Sequence, residues 1–590
     1  MRKKNIILFI IDSLNNTRIR QYGDVLMPAF TKLKKEYCYC DSMYSQAPYT
    51  EAALMSLYCG QDVLQNNGYL FRFRDADATF FELMKENGYT TFFNSYQPQC
   101  YPSSLRRGVD DIYYNVGFDI GAFWSYRLYH YSELLKKNEL TEGDYSALTE
   151  LLQDNFDEWL IFLDAIIKSD RSVEMIQGNA GDYDAEGVKE EVLSQQKLFQ
   201  DSPKLYINDV LQQGRSHKLF NIKAYDQVTK IKDRTIAEKN CRKVKALFKD
   251  IWWKNIRRNI SSLPVLISII FKSFLSYVVN PTHDNKKDFL KAAYYSLNHL
   301  LDFDLRSRAR NDYDSFKNAP SARTHLDHFF KWADDYKSDK PFFACVHVDD
   351  VHNPEVFLTY DTEDESVFDN DISLAKNTIA NLPKGSKGSV THDLSLRYID
   401  NVIKYLVDTV NQKEYGKDTS IIICADHGFS FGGDPIRKTY VTNLYLENYN
   451  IPFLIIDQDL RGISIEGLRE SKDIPSLIRD MAEDSAKAIE QLPEYPVCTI
   501  EYCGGGCPDL SRRELKLAAF DNNYFVGTLC ELNKNLTDTN LTEIYDLSTD
   551  PEQKKNLAGQ SFDKGKVNEL LLTVENRREE IKRSGKWKRK

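Results

Sequence analysis

Three side chains of metal-ligating type follow apolar runs in distant parts of the chain. Asp12 closes "NIILFIID", and Asp426 with His427 follows the run in "TSIIICADHG". A β-branched apolar run bounded by polar residues reads as a buried parallel strand. In open α/β sheets ligands bind beyond the carboxyl ends of the strands, so the three side chains are expected in one crevice. Two carboxylates and an imidazole suit Zn²⁺ or Mn²⁺, whereas an all-oxygen set would suit Ca²⁺ or Mg²⁺. An Asp after a strand is also a common helix cap, which explains any one of the three but poorly explains all of them.

Thr50 is the fourth candidate ligand. It opens "TEAALMSLYCG", a small-residue apolar helix stopped at Gly60. A free hydroxyl is a poor nucleophile near neutral pH, but a metal lowers its pKa, and a helix N-terminus welcomes a tetrahedral oxyanion. Simple N-capping would put the same hydroxyl in the same place. His347 and His352 in "HVDDVHNP" are candidates to protonate a leaving group or bind phosphoryl oxygens, and with Asp349 they could hold a second ion. Arg437 and Lys438, after "DHGFSFGGDP", read as anion clamps or as solvated surface. "CGGGC" at 503–507 reads as a tight backbone loop, since no second Cys pair at zinc spacing follows.

These residues need a scaffold. Up to about residue 120, strand-like and helix-like segments alternate, which argues for an α/β sheet with helices on both faces. The stretch 121–335 is polar, poor in β-branched runs and rich in helical spacing, so a largely helical insertion is expected there. Strands return in "KPFFACVHVDD", "TSIIICADHG" and "IPFLIID", giving a second part of the core over 336–490. From 491 to 590, "LKLAAFDNNYFVGTLCEL" and "EIYDLS" predict a small antiparallel sheet, closed by the charged helix "KVNELLLTVENRREEIKR".

The composition narrows the partners. With 590 residues, 42% hydrophobic and 28% charged, the chain is a soluble-type globular sequence of several units. A net charge of −10 gives no support to nucleic acid as a partner. The basic, apolar start "MRKKNIILFIIDSL" lacks a cleavage site and reads as a strand, and the 11 cysteines are irregularly spaced. Both features predict a cytoplasmic protein. The run "LPVLISIIFKSFLSYVV" (263–279) is barely long enough for a bilayer and has Lys272 at its middle. Ser268, Lys272 and Ser276 draw a polar stripe along it. It reads first as a helix buried in the insertion. The alternative is an interfacial helix, because Trp252, Trp253, Lys254, Arg257 and Arg258 precede it, making 252–279 a peripheral membrane contact.

The order strand-Asp12, nucleophile helix, "HVDDVHNP", "ADHG", "NLYLENYNIPFLII" and "EIYDLSTDPEQKKNLAG" resembles the sulfatase family of the alkaline phosphatase superfamily. The resemblance implies an alkaline-phosphatase-like mixed sheet, and covers roughly 1–120 and 335–560. Sulfatases carry Cys-x-Pro-Ser-Arg at the nucleophile and end that helix in Thr-Gly, and counting back from Gly60 puts Thr50 at the nucleophile position. His347 and His352 match the histidines of His-x-x-x-Pro-His, with Val351 in place of the proline. The departures matter equally. Threonine cannot become formylglycine, and Leu54 replaces the motif arginine. Tyr96 and Pro98 stand where Lys and His are usual, which makes Tyr96 a candidate substrate contact. Ser13 replaces the second aspartate, and His427 replaces an asparagine. A threonine nucleophile with Asp, Asp and His ligands resembles the phosphoglycerol and phosphoethanolamine transferases of the superfamily. The expectation is a metal-dependent hydrolase or transferase acting on a phosphate ester, with a glycan or lipid-linked glycan as its carrier. The alternatives are sulfate-ester hydrolysis and a non-catalytic binding protein on the same fold.

Overall fold

The computed structural model describes residues 3–66, 76–95, 105–115, 128, 131–168, 173–174, 184–221, 234–260, 263–301, 321–352, 365–381, 390–429, 444–503, 514–531, 536, 539–560 and 562–584. A 10-stranded mixed sheet runs through its centre. Its strands are β1 (Asn5–Ile11), β2 (Cys38–Tyr44), β3 (Thr90–Ser95), β4 (Asp111–Asn115), β5 (Val173–Glu174), β6 (Phe342–Val348), β7 (Thr419–Cys424), β8 (Asn450–Ile456), β9 (Ser464–Ile465) and β10 (Arg469–Glu470). The order is β10-β2-β8-β7-β1-β6-β3-β4-β5, with β9 beside β2. From β7 to β5 all pairs are parallel, while β8 runs antiparallel to both β7 and β2. β1 lies among the parallel strands, and Ile6 through Ile11 are all inaccessible to solvent. That is what an unbroken apolar run needs: a strand covered on both faces.

Helices flank the sheet. α1 (Asn16–Leu26), α2 (Pro28–Glu36), α3 (Thr50–Cys59) and α4 (Phe80–Glu86) belong to the first part of the chain. Between β4 and β6 come α5 (Glu142–Ile167), α6 (Ala185–Asp201), α7 (Pro203–Gln213), α8 (Arg234–Asn259), α9 (Leu263–Val279), α10 (His283–Leu301) and α11 (Ala322–Asp335). After β6 follow α12 (Glu365–Ala380), α13 (Val390–Gln412), α14 (Ile474–Met481), α15 (Ser485–Gln491) and the terminal α16 (Lys564–Ser584). α1, α2 and α13 pack on one another, and α3, α4 and α14 form another group.

The helices between β4 and β6 fall into three groups. Leu148, Leu152, Phe156 and Trp159 of α5 pack with Val192 and Phe199 of α6 and Tyr206 and Ile207 of α7 in a core of their own. α8 instead sends Val244, Leu247, Phe248 and Ile251 into the main core. The α9–α10 pair stands on α8. Here the first expectation for 263–279 fails: α9 is a helix, but Leu266 is its one buried residue. Its apolar residues meet α10 on one side and solvent on the other. Among the described residues no helix is long and apolar enough to cross a membrane.

A second sheet is antiparallel throughout: β11 (Cys498–Cys503), β12 (Glu514–Phe520), β13 (Tyr524–Glu531) and β14 (Thr539–Asp546). α16 covers it with Val567, Leu570, Val574 and Ile581. A buried charge cluster joins this unit to the loop after α3. Arg577 of α16 reaches Glu501 of β11 and Asp62, each at 3.3 Å, and Lys472 stands 3.2 Å from Asp62. Glu501 also accepts the Leu64 N–H at 2.8 Å. Removing one partner of a buried ion pair leaves the other charge without compensation. Arg577→Ala is therefore expected to cost about 3–5 kcal/mol in denaturant unfolding, and pairing it with Glu501→Gln should recover a large part of that loss.

Candidate active site

Strand register brings distant residues together. Ile10 stands opposite His347 of β6 on one side of β1 and opposite Cys424 of β7 on the other. Two residues beyond this pairing, β1 and β7 have both left the sheet at the same level. Asp12 leaves β1 there, with its N–H donated to the Val348 carbonyl at 2.9 Å, and Asp426 and His427 leave β7. Thr50 arrives from β2. Tyr44 ends β2, the Ser45 N–H bonds to the Tyr449 carbonyl at 2.7 Å, and a short loop delivers the start of α3.

Thr50 is the first residue of α3. The N-cap position is Tyr49, and no side chain caps the helix. The Thr50 hydroxyl instead donates to Asp12 Oδ2 at 3.2 Å and lies 3.3 Å from His427 Nε2. A capping role is thereby replaced by contacts into the metal-type cluster. The helix end is itself an electropositive site for an anion. Gly60, at φ +68°, stops the helix with a left-handed residue that suits glycine.

Asp12, His347 and Asp426 are all buried, and one ligand atom of each lies within 4.8 Å of the others. His427 Nε2 is 3.5 Å from Asp12 Oδ1 and 3.6 Å from Asp426 Oδ2. His347 Nε2 is 3.9 Å from Asp426 Oδ2, an oxygen that is buried and satisfied by no hydrogen bond among the described residues. Burial pushes the Asp426 carboxyl well above the carboxylate range, and the Asp12 charge beside it adds to the rise. Burial also raises Asp12, but the imidazoles of His352, His427 and His347 more than offset it and hold that carboxyl low. Burial lowers His347 to about 4, so its ring is neutral at neutral pH and able to ligate. Two carboxylates and a neutral imidazole around an unsatisfied oxygen fit a divalent cation.

His352 sits at the rim, less buried than the rest, with Nδ1 3.8 Å from Asp12 Oδ1. Between them stands Ser13, whose importance the sequence did not reveal. Its hydroxyl donates to Asp12 Oδ1 at 2.5 Å and lies 3.1 Å from His352 Nδ1, while its N–H reaches Asp426 Oδ1 at 3.2 Å. Ser13 holds φ at +63°, a left-handed conformation unusual for serine, and this turns its N–H and hydroxyl toward both aspartates.

A model of the sulfatase family, described as Sulfatase, matches residues 4–172 and 271–482. The chain belongs to the sulfatase family. Among solved structures it is similar to the phosphonate monoester hydrolase of Agrobacterium radiobacter, at 11% identity and TM-score 0.48, covering 98% of this chain and 96% of that one. It is similar also to the phosphonate monoester hydrolase SpPMH from Silicibacter pomeroyi, at 12% and 0.48 over 99% and 96% of the two chains. A protein of the alkaline phosphatase superfamily from Vibrio parahaemolyticus follows at 12% and 0.44, over 100% and 89%. No curated protein matches the sequence.

In this sulfatase-family site, Asp12, Thr50, His347, Asp426 and His427 come together and His352 borders them. Asp349 is buried nearby in sequence but is not in the compact set. Tyr96, Arg437, Lys438 and most of the "CGGGC" loop lie outside the described residues. Gly428, which follows His427, has its own physical reason. A Cβ there would lie 2.2 Å from the Glu447 carbonyl oxygen, and the Gly428 N–H bonds to the Asn448 carbonyl at 2.9 Å. Gly428→Ala must push apart two backbone segments, so a loss of about 1–3 kcal/mol in chemical denaturation is expected. Unchanged stability would show that the close approach is not needed.

Proposed function

We propose that this sulfatase-family protein is a metal-dependent hydrolase or transferase acting on a phosphate ester, with Thr50 as nucleophile. The observation that carries the reading is the Thr50 hydroxyl: first in its helix, buried, and directed at Asp12 and His427 beside the compact metal-type cluster. Asp12, His347 and Asp426, joined by His427 and Thr50, would hold the ion, zinc or manganese by donor type. A divalent cation there would supply positive charge to neutralise the carboxylates and stabilise charge on the transferring group.

The chain's own groups supply the rest. Thr50 Oγ1 passes its proton to Asp12 Oδ2 and forms a bond to phosphorus, while the bond from phosphorus to the leaving oxygen breaks. His352, at the accessible rim, delivers a proton to that oxygen, and buried His347 stays neutral as a ligand. The N-terminus of α3 holds the equatorial oxygens. Water, or a sugar or glycerol hydroxyl, then takes the phosphoryl group from Thr50. A glycan or lipid-linked glycan is the proposed carrier. A cytoplasmic location is supported by the seven described cysteines, all free and buried.

Sulfate-ester hydrolysis is the second reading, favoured by family membership and opposed by threonine at position 50. The two part in one experiment. Incubation with an aryl phosphate, acid quench and peptide mass analysis should find a phosphoryl group on Thr50. Thr50→Ser should keep partial turnover, and Thr50→Ala should lose several orders of magnitude while staying folded. Near wild-type turnover by Thr50→Ala, or activity confined to aryl sulfates, would overturn the reading. A separate expectation concerns the metal. Elemental analysis should find about one Zn or Mn per purified chain, and Asp426→Asn should remove most of it.

A further inference from the structure

The described residues include 21 exposed large hydrophobic side chains, and 13 of them fall between Trp253 and Leu297. They are not scattered. Ile267, Phe271, Phe274, Leu275 and Val278 recur at the spacing of one face of α9, and Leu290, Tyr294 and Leu297 do the same on α10. Phe289 holds the two helices together, with its ring 5.5 Å from Phe274 and 6.5 Å from Tyr277. A monomer rarely leaves a contiguous apolar face open, and when it does the face usually marks a binding surface.

The charge around this face identifies what covers it. Residues 234–301 carry 13 Lys and Arg against four Asp and Glu, in a chain whose net charge is −10. Arg242, Lys249 and Arg257 of α8 are exposed. An apolar face backed by a basic helix is complementary to anionic lipid headgroups over an acyl interior. A second copy of the same face would bring basic surface against basic surface, which opposes a symmetric dimer. α9, of 17 residues, is too short to span the ~30 Å hydrocarbon core. Lys272 is exposed beside the apolar stripe, where its ammonium can reach headgroups while its stem stays with the acyl chains.

We infer that the α9–α10 hairpin docks the protein on the surface of an anionic bilayer, lying in the interface without crossing it. α8 carries the load between the two, because Val244, Leu247, Phe248 and Ile251 fix it in the main core and the Trp252 indole N–H bonds to the Leu301 carbonyl at 2.5 Å. This inference does not depend on the reaction catalysed.

The test is flotation of the full-length protein with vesicles of phosphatidylcholine alone, or with one-third phosphatidylglycerol. Binding is expected to be at least about tenfold stronger on the anionic vesicles and to weaken with salt. Phe271→Glu with Val278→Glu should abolish it, with an unchanged circular dichroism spectrum. Should that variant misfold, Arg242→Gln, Lys249→Gln and Arg257→Gln together decide, and must lower anionic binding by about tenfold. Failure of the wild type to float, or equal flotation of wild type and folded variants, overturns the inference. So does sedimentation showing a wild-type dimer that Phe271→Glu with Val278→Glu dissolves, which would make the occupant a second copy.

Discussion

Two carboxylates buried side by side are the constraint around which the protein is arranged. Asp12 and Asp426 are essentially inaccessible, and parallel pairing of β1 with β7 leaves them nowhere else to go. At 4 Å and an effective dielectric near 20, like unit charges repel by about 4 kcal/mol, and desolvation adds to that cost. Burial raises both carboxyls; the imidazoles around Asp12 more than offset that there, whereas the Asp12 charge adds to the rise at Asp426. A divalent charge between them would relieve both members at once. Ser13 makes sense in this light. A strained backbone angle is tolerated because it points one N–H and one hydroxyl at the two carboxylates.

The same pocket explains why α3 is buried along its whole length. Leu54, Met55, Leu57 and Tyr58 pack into the main core, while Tyr49, Ala52 and Ala53 pack into the core shared with the second sheet. A helix held between two cores cannot drift, so its first residue keeps a fixed position over Asp12. The small side chains Ala52 and Ala53 let the second sheet approach closely. Arg577, Glu501, Asp62 and Lys472 then tie that sheet and α16 to the segment just after α3. The C-terminal unit thus acts as a clamp on the helix that presents Thr50, although it contributes no ligand to the compact cluster.

Strands β1, β6 and β7 were legible in the sequence because a strand covered on both faces is a nearly unbroken apolar run; the β1 and β7 runs end at residues of the cluster, whereas His347 lies inside β6. Asp12, Asp426 and His427 came with them. Thr50 was legible as the start of a helix, but whether its hydroxyl caps the helix or faces the cluster was not, because N-capping and the first helical position look alike in sequence. Ser13 was visible only as a departure from the family pattern. Nothing in a lone serine tells that its φ is positive or that it faces two carboxylates. α9 shows the opposite limit. Apolar content fixes that a helix must hide a face from water, yet it does not fix whether protein or something else hides it.

That distinction bears on how the insertion joins the site. α5–α7 close a core of their own, against which Ile112 of β4 packs, whereas α8 is part of the main core and packs on α12 and α13. α13 in turn presents Asp393 to Arg18 of α1 at 2.6 Å, in a largely buried pair. α1 begins just after Ser13, capped by Asn15, whose side chain accepts the Arg18 N–H. Rigid elements therefore connect the foot of the α9–α10 hairpin to the turn that holds the paired carboxylates. Contiguity of this kind fixes where the site stands relative to whatever surface the hairpin meets. It supplies positioning; a switch would require a second arrangement of one of these elements.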